Sequence, residues 1–211
     1  MTSFVPTSVS AELVSVKLVR YAGVMTRPTY HHGHLRAAIL TEAARLVAER
    51  GADRVSLREL AREAGVSHAA PAHHFSDRRG LFTALAAQGF ELLAAALNNA
   101  RPRFLDAALA YVRFAIDHPG HYRVMFDKSL LDASNPDLAA AEAAAGAELS
   151  RGVASLGDRH AKADPAGAEL AAWSLVHGFS MLWLNDAVDA RTKAADPMAS
   201  VERIATMLFD D

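Results

Sequence analysis

The sequence predicts an all-α fold of about nine helices, with three or four in an N-terminal head and the rest in a C-terminal body. Apolar residues recur every three or four positions along nearly every strong segment, which is the spacing of one helix face. Capping side chains stand before proline at Asn135-Pro136, Asp164-Pro165 and Asp196-Pro197, a pattern typical of helix starts. No segment shows convincing strand alternation.

Composition limits the class of protein. The chain has 211 residues, 51% of them hydrophobic and 22% charged, which predicts a sizeable core and allows two modest domains. It has no cysteine, which excludes disulfides, thiolate nucleophiles and cysteine zinc sites. No apolar run reaches the ~18 residues of a membrane-spanning helix, and the N-terminus does not resemble a signal peptide. We expect no membrane partner and a cytoplasmic location.

The first two head helices are marked by their apolar faces and caps. Gly51 is expected to end the first helix, and Ser56 with Glu59 predicts a capping box at the start of the second. The predicted buried residues of the first helix are Leu35, Ile39, Ala43, Leu46 and Val47. Those of the second are Leu57, Leu60, Ala61 and Ala64.

Residues 56–75 then read as two short helices joined by a tight turn at Gly65-Val66-Ser67. Gly65 can adopt the left-handed turn conformation, Ser67 is the expected N-cap of the third helix, and Pro71 falls in its first turn. This arrangement predicts a helix-turn-helix whose second helix enters the DNA major groove. Ser76-Asp77 is expected to cap a fourth helix at 77–97.

Net charge is unevenly distributed, and its sign fits that reading. It is +1 in residues 1–24, +2 in 25–97 and −5 in 98–211. The basic excess therefore lies with the helix-turn-helix, as neutralisation of DNA phosphates requires. A solvated surface unrelated to DNA can show the same weak bias.

The body is expected to contain longer, alanine-rich helices, including 136–157, 165–190 and 197–209. Helix 165–190 has more apolar surface than one buried face needs, which favours a position between its own body and a partner subunit. Its two expected stripes are Trp173, His177, Met181 and Leu184, and Ala171, Leu175, Phe179 and Leu182. Helix 197–209 has one seam of Val201, Ile204, Ala205 and Leu208. Homodimerisation through these two helices is expected.

These motifs, in this order and spacing, resemble the TetR family of transcriptional regulators over residues 28–209. The head carries Tyr30-His31-His32-Gly33 before the first helix and His73-His74-Phe75 at the end of the third. Asp77-Arg78-Arg79-Gly80-Leu81 opens the fourth. The resemblance implies a homodimer that binds double-stranded operator DNA and a small hydrophobic ligand in the body. It implies no cofactor, and usually repression that the ligand relieves.

The body resembles the subgroup whose regulatory domain bears a Trp-His-Gly signature. Here it is Trp173-Ser-Leu-Val-His177-Gly178, with His118-Pro119-Gly120-His121-Tyr122-Arg123-Val124-Met125-Phe126 upstream. The expected organisation is a poorly ordered extension at 1–27, a DNA-binding domain at 28–75, the linking helix 77–97 and a regulatory domain at 98–211.

The head departs from the family pattern at two positions. Ala72 stands where the family usually has a tyrosine that touches the DNA backbone, and Arg78 replaces a common lysine. Arginine keeps the charge and adds a forked donor, whereas alanine loses a ring and a hydroxyl. The loss at Ala72 supports one alternative function, a helical ligand-binding or adaptor module whose DNA binding is weakened or lost.

Each candidate site residue has a structural alternative. The expected DNA-binding residues are Arg36, Ser56, Ser67, His68, Ala69, Ala70, His73, His74 and Arg78. Ala69 and Ala70 can equally be ordinary helix formers, and Arg27 and Arg36 can be solvated surface. Phe75 is interpreted as a core residue that fixes the third helix on the first.

In the body, His177 is the polar group that an apolar pocket needs to orient its ligand, or else a satisfied core histidine. The expected pocket residues are Phe104, Leu109, Val112, Met125, Phe126, Trp173, His177 and Met181. No metal site is expected, because His31, His32 and His34 have no cysteine or carboxylate nearby to complete a tetrahedral set. No enzyme activity is expected, since the sequence lacks a nucleophile elbow, a phosphate loop and a zinc-protease motif.

Overall fold

The head is a bundle of helices built on α1 and α4. The structure is a computed structural model that describes residues 32–100 and 103–208. The head elements are α1 (His32–Arg50), a 3₁₀ turn at Ala52–Arg54, α2 (Leu57–Glu63), α3 (Ala69–Phe75) and the long α4 (Arg78–Asn99). The predictions for residues 1–27, His31 and the side chains of His32 and His34 lie outside the described residues.

The body is also helical. Its elements are α5 (Phe104–Asp117), α6 (Pro119–Met125), a 3₁₀ turn at Lys128–Leu130, α7 (Pro136–Ala154), α8 (Arg159–Ala163), α9 (Pro165–Leu184), α10 (Ala190–Lys193) and α11 (Pro197–Leu208). Nine helices in the described ranges have seven or more residues, and no strand occurs there. The predicted all-α fold is confirmed.

Helix α4 joins head and body and lies at the centre of the core. It packs against α1 and α3 in the head and against α5, α6 and α7 in the body. Among the described residues it is the one helix long and apolar enough to cross a membrane, but 56% of its apolar window is buried inside the protein. Burial against five other helices accounts for that apolar character without a membrane.

Most predicted helix boundaries in the head are confirmed. Ile39, Ala43, Leu46 and Val47 are fully buried on α1, and Gly51 ends it with a φ of 81°. Ser56 caps α2 by accepting a hydrogen bond from the Glu59 N–H at 3.2 Å. One of the two hydrogen bonds of a capping box is therefore present. The Glu59 carboxylate, which would form the other, makes an ion pair with Arg50 instead.

The start of α3 differs from the prediction. The helix begins at Ala69 after His68, and Ser67 does not act as its N-cap. The Ser67 carbonyl accepts the Ala70 N–H at 3.0 Å instead. Pro71 is the third residue of the helix and has no N–H, so one fewer donor in the first turn needs a capping partner.

The three Asx-Pro starts in the body are confirmed. Asn135 accepts from the Leu138 N–H at 3.0 Å, Asp164 from the Gly167 N–H at 3.0 Å, and Asp196 from the Ala199 N–H at 3.3 Å. The predicted ends of two helices are wrong. α7 ends at Ala154, and α9 ends at Leu184 because Asp186 turns to a φ of 51°.

The buried face of α9 also differs from the two predicted stripes. It consists of Ala168, Ala172, Val176, Phe179 and Ser180, of which only Phe179 belongs to a predicted stripe. Ala171 and Leu182 of one stripe are exposed, as are Trp173 and Met181 of the other. When a helix is apolar on most of its surface, the spacing of its apolar residues does not identify one buried face. Which face is buried then depends on the helices that pack against it.

Candidate functional site

The helix-turn-helix packs against α1 and α4. Gly65 has a φ of 65°, which glycine tolerates, and the Val66 N–H donates to the Ala61 carbonyl at 3.0 Å to close the turn. Phe75 is only 5% exposed and belongs to the main core, so its predicted packing role is confirmed. Pro71 is buried beside it.

The opposite face of α3 is open to solvent. Ser67, His68, Ala69 and His73 are exposed, and Ala70 and His74 are half-buried. Ala72 is exposed on the same short helix. The structure thus brings the predicted reading residues onto the turn and first helical residues of α3, and their contact with DNA stays a prediction.

Three other predicted DNA contacts, Arg36, Ser56 and Arg78, already have partners within the head. The Arg36 guanidinium lies over the Phe75 ring at 5.3 Å, beside α3. Ser56 caps α2. Arg36 and Ser56 lie at the edges of the helix-turn-helix. Their polar atoms that are not already bonded within the head can still contact phosphate.

Arg78 is directed mainly into the head. Its Nε donates to the Val55 carbonyl at 3.1 Å and its Nη2 to the Ala52 carbonyl at 2.8 Å. Its guanidinium also lies 4.7 Å from the centre of the Phe82 ring. These bonds fasten the start of α4 to the segment before α2. Arg78 therefore positions the helix-turn-helix, a role that the sequence did not indicate.

Two cations near α2, Arg54 and Arg58, are candidate phosphate contacts that the sequence did not indicate. Arg45, Arg50 and Arg62 form ion pairs with carboxylates of the head. Arg54 and Arg58, by contrast, are exposed, and neither has a carboxylate partner among the described residues. Only the arrangement of ion pairs distinguishes these two arginines from their neighbours.

In the body, a histidine and two tyrosines meet from three helices. His177 of α9 places its Nδ1 2.9 Å from the Tyr122 hydroxyl of α6 and 3.2 Å from the Tyr111 hydroxyl of α5. Both tyrosines are almost fully buried, whereas His177 is half-buried. Neither tyrosine was predicted as a site residue, although Tyr122 lies in the upstream signature.

Aromatic rings surround this cluster. The Phe126 ring lies 4.4 Å from the His177 ring and 6.4 Å from the Trp173 ring, measured between centroids. The Trp173 and His177 centroids are 5.6 Å apart, as expected for one helical turn. Trp173 is 40% exposed and Met181 41% exposed. Phe126, Trp173 and His177 are thus brought together, with an open side at Trp173.

The polar groups of this cluster are held neutral. Burial raises the pKa of Tyr111, and it raises that of Tyr122 to about 12. Burial lowers the pKa of His177. Desolvation disfavours the charged form of each group, so near neutral pH the cluster offers hydrogen-bond donors and acceptors without a net charge.

The other predicted pocket residues do not join this cluster. Val112 and Met125 are completely buried in the main core, and Leu109 packs against it. Phe104 belongs to a second small core with Val153 and Leu156. A cavity of about 10 Å³ next to Phe104 and Tyr111 has room for about one water. The predicted eight-residue lining is not gathered around one cavity in the described residues.

A large cleft lies elsewhere in the described structure. It has a volume of about 990 Å³ and runs between the first turns of α4 and the α7 helix. Its lining is polar and includes Arg36, Arg79, Glu91, Asp132 and Asp137. Such a lining differs from the apolar pocket that the sequence predicted. Within the described ranges, no three His, Asp or Glu side chains approach closely enough to hold a metal ion.

Helix α6 connects the histidine–tyrosine cluster to the head. Arg123, next to Tyr122, donates from Nη1 to the carbonyls of Ala48 at 2.6 Å and Val47 at 3.3 Å. These carbonyls belong to the last turn of α1, where the Val47 carbonyl also accepts the Gly51 N–H at 3.0 Å. Adjacent residues of α6 thus contact the body cluster on one side and α1 on the other.

Comparison with known families and structures agrees with this architecture. A profile described as "Bacterial regulatory proteins, tetR family" matches residues 39–85. A second, "Tetracyclin repressor-like, C-terminal domain", matches residues 104–208. No curated protein matches the chain.

Several solved structures are similar over most of their length. A protein of unknown function from Rhodococcus sp. RHA1 is 33% identical, with a TM-score of 0.66, covering 87% of this chain and 97% of that one. A tetR-family regulatory protein from Rhodococcus RHA1 is 19% identical, with a TM-score of 0.65 and coverages of 82% and 94%. The regulator PfmR from Thermus thermophilus is 18% identical, with a TM-score of 0.60 and coverages of 81% and 96%.

Proposed function

Since the chain belongs to the TetR family and is a transcriptional regulator of that family, we propose that it is a homodimeric repressor released from operator DNA by a small neutral ligand. Residues 28–75 act as the DNA-binding domain, 77–97 as the linking helix and 98–211 as the regulatory and dimerisation domain. Trp173, His177 and Gly178 support assignment to the Trp-His-Gly subgroup. The protein acts at the nucleoid of the cytoplasm and has no enzymatic role.

The open face of α3 is the observation that carries this proposal. Pro71 and Phe75 fix the helix on the core, which leaves Ser67, His68 and His73 exposed on the other side. Small residues at Ala69 and Ala70 allow a close approach to base edges and thymine methyl groups. The two α2-side cations, Arg54 and Arg58, have charge available for phosphate.

The exposed apolar surface of α9 and α11 supports a dimer. Leu170 is 61% exposed, Leu182 is 50% exposed, and Met207 of α11 is 74% exposed. A Cβ added at Gly178 would meet no atom of another described element within 4 Å, so Gly178 does not serve a close helix approach within the protomer. Large exposed apolar side chains mark interaction surfaces when they cluster.

The predicted seam of α11 is directed inward instead. Val201 is completely buried and Ala205 is 3% exposed, on a helix that packs against α5 and α9. We therefore place the dimer interface on the exposed faces of α9 and α11, and not on that seam. Symmetric half-sites about one helical turn apart, ~34–36 Å, would then face the two α3 helices.

Helix α6 offers a route by which ligand binding changes DNA affinity. A ligand that binds one arrangement of Tyr122 and His177 better than another shifts the population of that arrangement. Arg123, the next residue, is hydrogen-bonded to the end of α1. A displacement of α6 therefore also displaces the end of α1. Because α1 packs against α2 and α3, the orientation of the head follows.

A fluorescence-anisotropy titration of the full chain against its own flanking intergenic DNA tests the proposal. We expect tighter binding than to random DNA of equal length at every salt concentration. The logarithm of affinity should fall linearly with the logarithm of salt, with a slope of about −0.9 per phosphate contacted. Equal affinity for the two DNAs would overturn DNA-specific regulation.

The exposed Ala72 carries the alternative, an adaptor or ligand-binding module that has lost DNA binding. Ala72→Tyr distinguishes the two functions, because the added hydroxyl can reach a phosphate only if α3 already docks on DNA. Under our proposal the original chain binds and the variant binds as well or more tightly. Under the alternative, binding by the original chain stays undetectable.

A further inference from the structure

The aromatic cluster on α9 has one hydrogen-bonding atom, His177 Nε2, that no residue in the described part of the chain satisfies. Both short contacts of the His177 ring use Nδ1. Among the described side chains, no buried nitrogen or oxygen lacks a hydrogen-bond partner. The Nε2 atom of the half-buried His177 must therefore reach the protein surface.

The surrounding bonds determine which ring nitrogen carries the proton. The Tyr122 and Tyr111 hydroxyls lie 2.9 Å and 3.2 Å from Nδ1. Each hydroxyl has one proton to donate. The 2.9 Å contact of Tyr122 with Nδ1 is shorter than its 3.4 Å contact with the His177 carbonyl, so Tyr122 donates to Nδ1. With Nδ1 as the acceptor, a neutral imidazole must carry its hydrogen on Nε2.

The apolar surface next to Nε2 is large and partly open. Trp173 is 40% exposed within the protomer. Phe126 lies against both the His177 and Trp173 rings. A flat molecule can therefore stack on Trp173 while it accepts a hydrogen bond from Nε2.

The cluster offers no charge to an ionic ligand. Burial is the main cause of the pKa shift of each of its three titratable groups, and no lysine or arginine of the described chain contributes to any of them. Glu169 is the one charged residue of α9. The nearby Arg123 is bonded to the α1 carbonyls. A buried charge without a partner is costly, which disfavours both carboxylates and ammonium groups.

We propose that Trp173, Phe126 and the Nε2–H of His177 form a binding site for a neutral, planar aromatic molecule with a carbonyl-type hydrogen-bond acceptor. This inference rests on the proposed function, in which a body ligand controls DNA binding, and it names the chemical class of that ligand. The ring stacks on Trp173, and the acceptor oxygen binds Nε2–H.

Three small probes of similar size separate the contributions of the aromatic ring, the hydrogen-bond acceptor and the charge to binding. Acetophenone has the ring and a neutral acceptor, ethylbenzene lacks the acceptor, and benzoate carries a charge. Because the chain has two tryptophans, Trp183→Phe leaves Trp173 as the only indole reporter. Trp183 stacks on Phe179 and lies under Lys193, outside the proposed site.

In the Trp183→Phe variant we expect saturable changes of Trp173 fluorescence with acetophenone at roughly five- to tenfold lower concentration than with either other probe. ¹⁵N NMR of histidine-labelled protein should show His177 protonated at Nε2, with that signal shifted by acetophenone. His177→Phe should reduce acetophenone binding to the level of ethylbenzene, and His177→Gln, which keeps a donor N–H, should restore part of it.

Three results would overturn the proposal. They are equal binding of all three probes, tightest binding of benzoate, and an Nδ1-protonated His177. A fourth result would also overturn it: Trp173 fluorescence that changes with protein concentration but not with any probe. That result would place the exposed indole in the contact with a second copy of the chain. DNA affinity of the ligand-free protein is measured separately, so failure here is distinguishable from failure of the regulator function.

Discussion

The guanidinium of Arg123 donates a hydrogen bond to the carbonyl of Ala48 at 2.6 Å, and this bond joins the body to the last turn of α1. Tyr122, the preceding residue, bonds to His177 of α9 at 2.9 Å. A short helix of seven residues thus carries both contacts. The consequence is that the geometry of the aromatic cluster and the position of the head cannot vary independently.

Arg123→Met tests this coupling while it keeps an apolar stem of similar length. Loss of charge-assisted bonds to two carbonyls should lower the free energy of unfolding by about 1.5–3 kcal/mol. It should also weaken the effect of ligand on DNA affinity. The measurements are urea unfolding and DNA titrations with and without acetophenone. Arg113→Met, at an exposed site on α5, is the matched control, and an equal loss in both variants would contradict the specific role of Arg123.

Gly120 permits the close contact between α6 and α1. A Cβ at this position would lie 1.9 Å from the Ala44 carbonyl oxygen, which is backbone and cannot move aside cheaply. Gly120→Ala should therefore destabilise the protein by about 1–3 kcal/mol or more.

Gly146→Ala is the matched control, because an added Cβ there meets no atom within 4 Å inside α7. It should stabilise the helix by roughly 0.5–1 kcal/mol. Both variants are compared by urea unfolding at one pH. Stabilisation by both substitutions would show that α6 and α1 are not in close contact in solution.

The fold was predictable because its signals are local. The spacing of Ile39, Ala43 and Val47 indicates a buried helix face whatever that face packs against, and Asn135 or Asp164 can cap a helix with atoms three residues away. These signals need only the chain nearby. They therefore gave the helices, and most of their starts, correctly.

The site was only partly predictable, because burial alone does not distinguish core from pocket. Val112 and Met125 have the same periodic pattern as residues that line a cavity, yet both are completely buried. The contact of His177 with Tyr111 joins residues 66 positions apart, and it depends on how α5 crosses α9. Likewise, the sequence shows the charge of Arg78 but not the inward direction of its donors.

Substitution of Arg78 distinguishes a positioning role from direct DNA contact. Because two of its nitrogens bond to the Ala52 and Val55 carbonyls, Arg78→Ala should lower the unfolding free energy by about 1–3 kcal/mol. Arg58→Ala should leave stability within about 0.5 kcal/mol, as for an ordinary surface position.

The salt dependence of DNA binding completes that comparison. Loss of one phosphate contact at Arg58 should reduce the salt slope by about one. Arg78→Ala, measured at a temperature where the variant is folded, should also weaken DNA binding. Its salt slope should change less than that of the Arg58→Ala variant. A full unit of slope lost at Arg78 with no loss of stability would instead assign it to phosphate contact.

His121 should make the stability of the α6 contact depend on pH. Burial, together with the nearby His118, lowers its pKa from 6.5 to about 4, and its Nε2 lies 3.0 Å from Gln88 Oε1 of α4. Between these pH values the unfolded chain binds a proton that the folded protein does not, so the free energy of unfolding falls as pH falls from about 6.5 to 4.

The expected loss is up to roughly 2–3 kcal/mol, at about 1.4 kcal/mol per pH unit for a group that is almost fully buried. His121→Gln removes the titration but keeps an amide that can donate to Gln88. Urea unfolding at a series of pH values should therefore give a flatter profile for the variant than for the original chain. His73→Gln, at an exposed position on α3, is the matched control, and identical profiles for all three proteins would exclude His121 as the source of the pH dependence.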